Sequence, residues 1–219
     1  MFRLLLKCGI LFENIMLLYK YSLKYVRVLI NRYKLKIAAK RRLCKIIVGA
    51  GGVCQYGWVP TDIEYMNILK KKDWEKYFYE HSIDAILAEH VWEHLTKEEA
   101  MIAAKHCYRY LKKGGYLRVA VPDGFNLNKE YLDWVKPGGI GDGAKDHKVL
   151  YNYKTFKEIF ESEGFKVELL EYYDENGEFH YKEWPPDEGL IRRSKRYDKR
   201  NKGGELKYTS LILDALKSI

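Results

Sequence analysis

Cysteine is scarce, four residues in 219, and Cys8, Cys44, Cys54 and Cys107 stand far apart with no C-x-x-C and no cysteine-histidine cluster at metal-ligand spacing. A disulfide-dense mini-protein is excluded, and the expectation is reduced thiols and no metal centre. Five prolines and no internal repeat exclude a collagen-like or low-complexity chain. Lys7 and Glu13 interrupt the N-terminal apolar run, so no uncharged stretch approaches the ~20 residues that cross a bilayer. No small-residue cleavage site follows that run, and export is not expected. Acid is almost missing from residues 1–45, where Glu13 stands against 12 Lys and Arg for a net +11, while the remaining residues sum to −2. The overall +9 therefore belongs to the N-terminal segment, and nucleic acid is not an expected partner of the domain. What is present, 47% hydrophobic and 15% aromatic residues, describes a folded globular chain.

Residues 14–38 carry helical periodicity, with Lys20, Lys24, Arg27, Asn31 and Lys34 on one polar stripe and Leu17, Leu18, Tyr21, Tyr25, Val28, Leu29 and Ile30 on the rest. Two placements follow. Such a basic, aromatic-rich helix can lie in the interface of an anionic membrane, or it can pack on its own domain with the cationic stripe in water. Residues 1–42 are read as a basic amphipathic extension and 43–219 as one domain, in a cytoplasmic protein that the extension, through residues 1–40, can hold at the inner face of the membrane.

From Leu43 short apolar runs alternate with longer amphipathic stretches, the rhythm of an α/β chain with a mainly parallel sheet. Buried strands are expected over 43–48, 57–63, 83–88 and 116–121. Thr96 with Glu99 makes a capping box for a helix running to Leu111, which Lys112-Lys113-Gly114-Gly115 stops. A helix over 154–163, a strand over 165–173, an Asn176-Gly177 hairpin into 178–184 and a last strand over 208–213 complete the pattern.

Ligands of open α/β sheets bind beyond the carboxyl ends of the strands. There the sequence places Gly49-x-Gly51-Gly52, then Asp62, then Glu89-His90 with Glu93-His94, then Pro122-Asp123-Gly124. The dinucleotide fingerprint is not met: Cys54 occupies the third glycine position, and Asp62 follows Gly49 by 13 residues against the ~20 of that motif. About eight residues separate the glycine loop from the second strand, fewer than a helical crossover needs. A very short or absent first helix and a smaller nucleoside ligand are the consequence.

Lys45-Ile-Ile-Val-Gly-Ala-Gly-Gly52, Gly57-Trp58 leading to Asp62, Ser82 to Leu95 with its Glu-His-Val-Trp-Glu-His, and Tyr108 to Gly124 resemble the class I S-adenosylmethionine-dependent methyltransferases, in particular a small bacterial subgroup. The resemblance runs from about residue 44 to the end. It implies a Rossmann-like sheet, mostly parallel with an antiparallel C-terminal strand and an extra β-hairpin, with helices on both faces. It implies S-adenosyl-L-methionine as cofactor, with Gly49 and Gly51 along its methionine part, Asp62 on the ribose hydroxyls, Asn67 near the adenine and Glu89 with His90 bordering the sulfonium. Ala50 replaces a cysteine usual between the two glycines, and Asn67 stands where relatives often have Asp.

Methyl transfer needs alignment and, for an acceptor that carries a proton, a base. His90 and His147 are the candidates, His147 with its neighbours Asp146 and Tyr151 following an irregular glycine-rich loop. His94 and Glu93 are read as capping or ion-pairing residues. The run from Arg192 to Arg200 can fork onto an anion, which makes Arg193 and Arg196 candidate acceptor contacts. The function expected is a methyltransferase acting on a small-molecule or glycan-related acceptor; a non-catalytic nucleoside-binding or membrane-scaffold protein is the alternative.

Overall fold

The computed structural model describes residues 2–40 and 42–218, with side chains from Met16 onward, so the side chains of Cys8 and of the first apolar run are not described. Strands β1 (Lys45–Val48), β2 (Val59–Pro60), β3 (Ile83–Glu89) and β4 (Leu111–Val121) pair in parallel. β5 (Lys166–Tyr173) and β6 (Phe179–Tyr181) form a hairpin, and β7 (Leu211–Leu216) inserts between β4 and β5, antiparallel to both. The sheet order is β2-β1-β3-β4-β7-β5-β6, the Rossmann-like arrangement with the antiparallel last strand and extra hairpin expected.

Alternation along the central strands divides the interior in two. Ile46, Val48, Ile86, Leu117, Val119 and Leu213 face a large core shared with α1 (Phe2–Ala38), α2 (Lys71–Glu75), α3 (Lys97–Tyr110) and α5 (Tyr153–Glu161). Ile47, Ala85, Leu87, Ala120 and Ile212 face a smaller one, as the period of two requires. α3 starts on the expected capping box, Thr96 accepting from the Glu99 N–H and Glu99 from the Thr96 N–H. α4 (Lys129–Val135) is capped by Asn128 and packs Tyr131 on Tyr208 at the carboxyl end of the sheet.

Helices were expected on both faces. The smaller core is instead roofed by the chain from Trp184 to Asn201, whose helical content is two single 3-10 turns. The first crossover explains this: residues 49–58 hold no helix, as their brevity required. Gly189 lets the roof approach, since a Cβ there would sit 3.2 Å from both Leu87 and Trp58. Arg118, buried in β4, fastens the roof to the sheet. It makes a two-pronged bond to Asp214 of β7 (2.8 and 2.7 Å), donates to the carbonyls of Glu188 and Gly189, and lies over Trp184.

Other elements shift from their expected bounds for local reasons. β2 shrinks from 57–63 to two residues because Gly57 turns the chain before it at φ 80 and the Tyr65 and Met66 N–H groups fold back onto the Asp62 carbonyl after it. Lys112 to Gly115 do not end a helix; they belong to β4. The last strand moves from 208–213 to 211–216 because residues 208–210 bond elsewhere: the Asn201 side chain donates to the Tyr208 carbonyl, the Tyr131 hydroxyl to the Thr209 carbonyl and the Ser210 N–H to the Arg193 carbonyl. The hairpin turns at Asp174–Gly177, with Gly177 alone at positive φ, rather than through a two-residue turn with Asn176 also left-handed.

The largest departure concerns α1. Its cations Lys20, Lys24, Arg27 and Lys34 stay exposed, yet the helix meets the domain mainly along this side and not along its apolar face. Lys24 pairs with Glu64 (2.7 Å) and Arg27 reaches Gly52, while Leu35 and Ala38 further along this side are buried. Leu18, Tyr21, Tyr25, Leu29 and Tyr33 are left exposed, Leu18 and Tyr33 by 68%. The domain offers Glu64 at this edge, which draws Lys24 of the polar stripe toward it.

Removing one partner of a buried ion pair strands the other charge, at about 3–5 kcal/mol. Arg118→Met is expected to lower unfolding stability by that order in urea titrations, and Arg118→Met with Asp214→Leu to recover most of it; equal stability of the single variant and the wild type would show that the roof is held otherwise.

Candidate active site

Two adjoining clefts open at the carboxyl ends of β1, β2 and β3, both bordered by Gly49, His90 and His94. The first, about 280 Å³, also takes in Gly51, Gln55, Glu89, Glu93, Asp142, His147 and Arg193. The second, about 450 Å³, takes in Asp62, Met66, Asn67 and Leu69. Local backbone geometry builds their shared wall. Gly49 follows β1 at φ 59, where an added Cβ would stand 2.6 Å from Val91 Cγ2. His90 follows β3 at φ 57, a left-handed conformation rare outside glycine, fixed by its N–H donating to the Ala120 carbonyl.

The expected cofactor residues converge. Asp62 accepts from the Gly51 N–H (3.0 Å) and the Ile63 N–H (2.8 Å), which orients its carboxylate and leaves further lone pairs for hydroxyls. Asn67 spends its side-chain oxygen on the Leu69 N–H, keeping its NH₂ for a base. Glu89 accepts from the Arg193 and Arg192 N–H groups (both 3.1 Å), so the roof segment closes one side of the site.

The acceptor side is built on the 3-10 turn Trp92–His94. His90 presents Nε2 to the Ser210 hydroxyl (2.9 Å) and places Nδ1 2.9 Å from Glu93 Oε1. That second contact is close but not aligned as a hydrogen bond: both Glu93 oxygens are buried and accept no bond. Burial works against the Glu93 charge, but the neighbouring His90 ring overcomes it and holds the carboxyl below its ordinary range. His147 Nδ1 lies 2.7 Å from the Val135 carbonyl, which can only accept, so Nδ1 carries a proton, and Nε2 lies 4.0 Å from Glu93 Oε1.

Three expected acceptor contacts do not reach these clefts. Tyr151 is buried in the helical core against Phe156, its hydroxyl pushed up to about 12 by burial and the charge of Glu93. Asp146 is exposed at the end of the 3-10 turn Ala144–Asp146, away from both clefts. Arg196 lies over Tyr197 beside a separate cleft lined by Trp184 and Tyr181. A loop residue can face any direction, and spacing alone carries no information about which. Conversely, Gln55, Asp142 and Ser210 are site neighbours without a sequence signal, whereas Glu93 and His94 had one, the repeated Glu-His spaced by four.

Asp123, in the motif after β4, is a clamp and not a ligand residue: its carboxylate accepts from the Phe125 and Tyr173 N–H groups.

Residues 58–119 match the methyltransferase domain family. No curated protein matches the chain. Among solved structures, an S-adenosylmethionine-dependent methyltransferase from Archaeoglobus fulgidus is similar at 18% identity and TM-score 0.46, over 89% of this chain and 94% of that one. A Thermotoga maritima methyltransferase described as a possible histamine N-methyltransferase is similar at 14% identity and TM-score 0.47, over 91% and 97%. Phosphoethanolamine N-methyltransferase 2 of Haemonchus contortus, in complex with S-adenosyl-L-methionine, is similar at 14% identity and TM-score 0.37, over 64% and 38%.

Burial raises the Asp123 carboxyl to about 6, against the two N–H groups that favour its charge. The folded protein then holds this proton more tightly than the unfolded chain, so its contribution is complete below the unfolded value and is lost as pH rises through about 6. Melting curves between pH 4 and pH 7 are expected to show stability falling by an amount on the order of 2–3 kcal/mol from this group. Asp123→Asn is expected to flatten that slope; an unchanged slope would assign it elsewhere.

Proposed function

We propose that this chain, whose residues 58–119 match the methyltransferase domain family, is a class I S-adenosylmethionine-dependent enzyme that transfers the cofactor's methyl group to a small-molecule or glycan-related acceptor held beside His90 and His147. The observation that carries this reading is the convergence of Gly49, Gly51, Asp62, Asn67, Glu89 and His90 on two adjoining clefts at the carboxyl ends of the parallel strands. The cradle suits a nucleoside: a bare backbone at Gly49, an oriented carboxylate at Asp62 and a free amide at Asn67. When bound, S-adenosylmethionine supplies a methyl on a sulfonium, already activated for in-line displacement.

The remaining work falls to the chain. Asp62 takes the ribose hydroxyls, the Gly49 to Gly51 backbone and Glu89 take the methionine end, and the roof from Leu190 to Arg193 limits water on that side. His90, its Nδ1 beside the Glu93 carboxylate, receives a proton from the acceptor at Nε2, the acceptor displacing the Ser210 hydroxyl that fills this position in the free protein. His147 Nε2 and Arg193 offer the acceptor a polar wall, and Arg193 suits an anionic group.

The exposed apolar face of α1 supports a membrane location. No described helix is long and apolar enough to cross a bilayer. A helix presenting Leu18, Tyr21, Tyr25, Leu29 and Tyr33 to solvent, with Lys20, Lys34 and Lys36 close by, suits the interface of an anionic membrane at the cytoplasmic face.

Calorimetry with S-adenosylhomocysteine is expected to show binding at one site, weakened ~10-fold or more in Asp62→Ala, a loss of at least about 1.4 kcal/mol. Absence of heat from folded wild-type protein would overturn the reading. His90→Ala is expected to keep that binding and lose methyl transfer from labelled cofactor into cell extract; transfer absent from the wild type as well would favour the non-catalytic alternative. In flotation with phosphatidylglycerol vesicles the protein is expected to rise with the lipid, and Leu18→Asp with Tyr25→Asp to stay in solution; equal flotation of both would remove α1 as the contact.

A further inference from the structure

We propose that Glu93, His94 and His147 form a binding site for a first-row divalent transition cation, of the imidazole-preferring class to which zinc belongs, at the acceptor end of the cleft. The sequence offered no metal motif because His147 is 53 residues from His94; the fold closes that gap. One ligand atom from each of the three side chains lies within 4.8 Å of the other two, and the His94 and His147 rings meet edge to face at 4.8 Å between centroids.

Three observations separate this cluster from a chance meeting of polar groups. The Glu93 carboxylate is fully buried and neither oxygen accepts a hydrogen bond: His90 Nδ1, 2.9 Å from Oε1, is not aligned to donate, and Oε2 has no partner, which is costly unless a cation or proton donor completes it. His147 donates Nδ1–H to the Val135 carbonyl, the outer bond that typically fixes a metal-ligating imidazole with its other nitrogen free. All three residues border the 280 Å³ cleft, so an ion held by two imidazoles and one carboxylate keeps open positions toward it. Two nitrogens and one oxygen suit zinc, iron or cobalt better than magnesium or calcium, which prefer all-oxygen shells.

A second group of possible ligands, Asp174, Glu178 and His180, provides the contrast. There Asp174 already accepts from the Asn176 and Glu178 N–H groups and pairs with His180, so nothing is left incomplete. In the methyl-transfer reading, on which this role rests, the ion's open positions take the oxygen or nitrogen of the acceptor and make its proton easier to lose. The binding of the ion does not depend on that reading.

The test titrates EDTA-treated, dialysed protein with Co²⁺, followed by its visible absorption, and with Zn²⁺ by calorimetry. One equivalent is expected to bind, with Zn²⁺ displacing Co²⁺. His94→Ala, His147→Ala and the near-isosteric Glu93→Gln are each expected to weaken binding by ~10-fold or more, and His180→Ala to leave it unchanged. Folded wild-type protein that binds neither ion, or binding lost in His180→Ala and kept in His94→Ala and His147→Ala, would overturn the proposal. S-adenosylhomocysteine binding measured on the same samples separates the outcomes: metal binding without nucleoside binding defeats the methyl-transfer reading alone, and the converse defeats the metal site alone.

Discussion

The buried pair of Arg118 and Asp214 is the interaction from which the rest of the site takes its shape. A charge placed in the middle of a sheet is tolerated only when every donor finds a partner. Arg118 meets that demand by spending two donors on Asp214 across the β4–β7 ladder and another on the carbonyls of Glu188 and Gly189. The roof over the smaller core is thereby held at one point, with Trp184 packed on the guanidinium and its indole N–H also on the Gly189 carbonyl. A few residues further along, the same segment delivers the Arg192 and Arg193 N–H groups to Glu89. A salt bridge well inside the sheet thus positions one wall of the cofactor cleft.

The brief first crossover is the complementary constraint. With no helix between β1 and β2, the face that a crossover helix would cover is left to a segment with little regular structure of its own. Side-chain anchors replace the internal hydrogen bonds a helix would have: Gln55 exchanges two bonds with Leu190, and Asn201 gathers the Tyr208 carbonyl and N–H. Glu171, from β5, adds the Lys195 N–H and the Thr209 hydroxyl. The acceptor side has the opposite character. Glu93 is buried with its oxygens unfilled, beside three histidines, and the surrounding backbone bonds hold it there through the Lys148 and Val149 N–H groups on its carbonyl.

α1 shows how tertiary partners decide between two faces of equal periodicity. The stripe of Lys24, Arg27 and Asn31 is legible as polar, and polarity ordinarily means water. Glu64 at the domain edge gives Lys24 of that stripe a specific partner, and the aromatic face is left turned outward. The cations stay in water, as expected for a helix packed on its own domain, but the apolar face stays in water with them and is the surface to be accounted for.

By itself the sequence determined the parallel strands β1, β3 and β4, the Thr96 capping box, the helixless first crossover and the residues that follow each strand, because these depend on periodicity and on glycine and capping chemistry within a few residues. For the same reason Gly49, Gly51, Asp62, Glu89 and His90 were readable as a group, each following a strand whose end is a fixed position in such a sheet, whereas Asn67 came only with the family resemblance. The facing of loop residues was not readable. Tyr151 turned into the core, Asp146 and Arg196 turned away, and β7 began three residues late because its first residues bond to α4 and to the roof. Only the tertiary structure brought His147 to Glu93 and His94 across 53 residues, since no local rule sets where a loop returns.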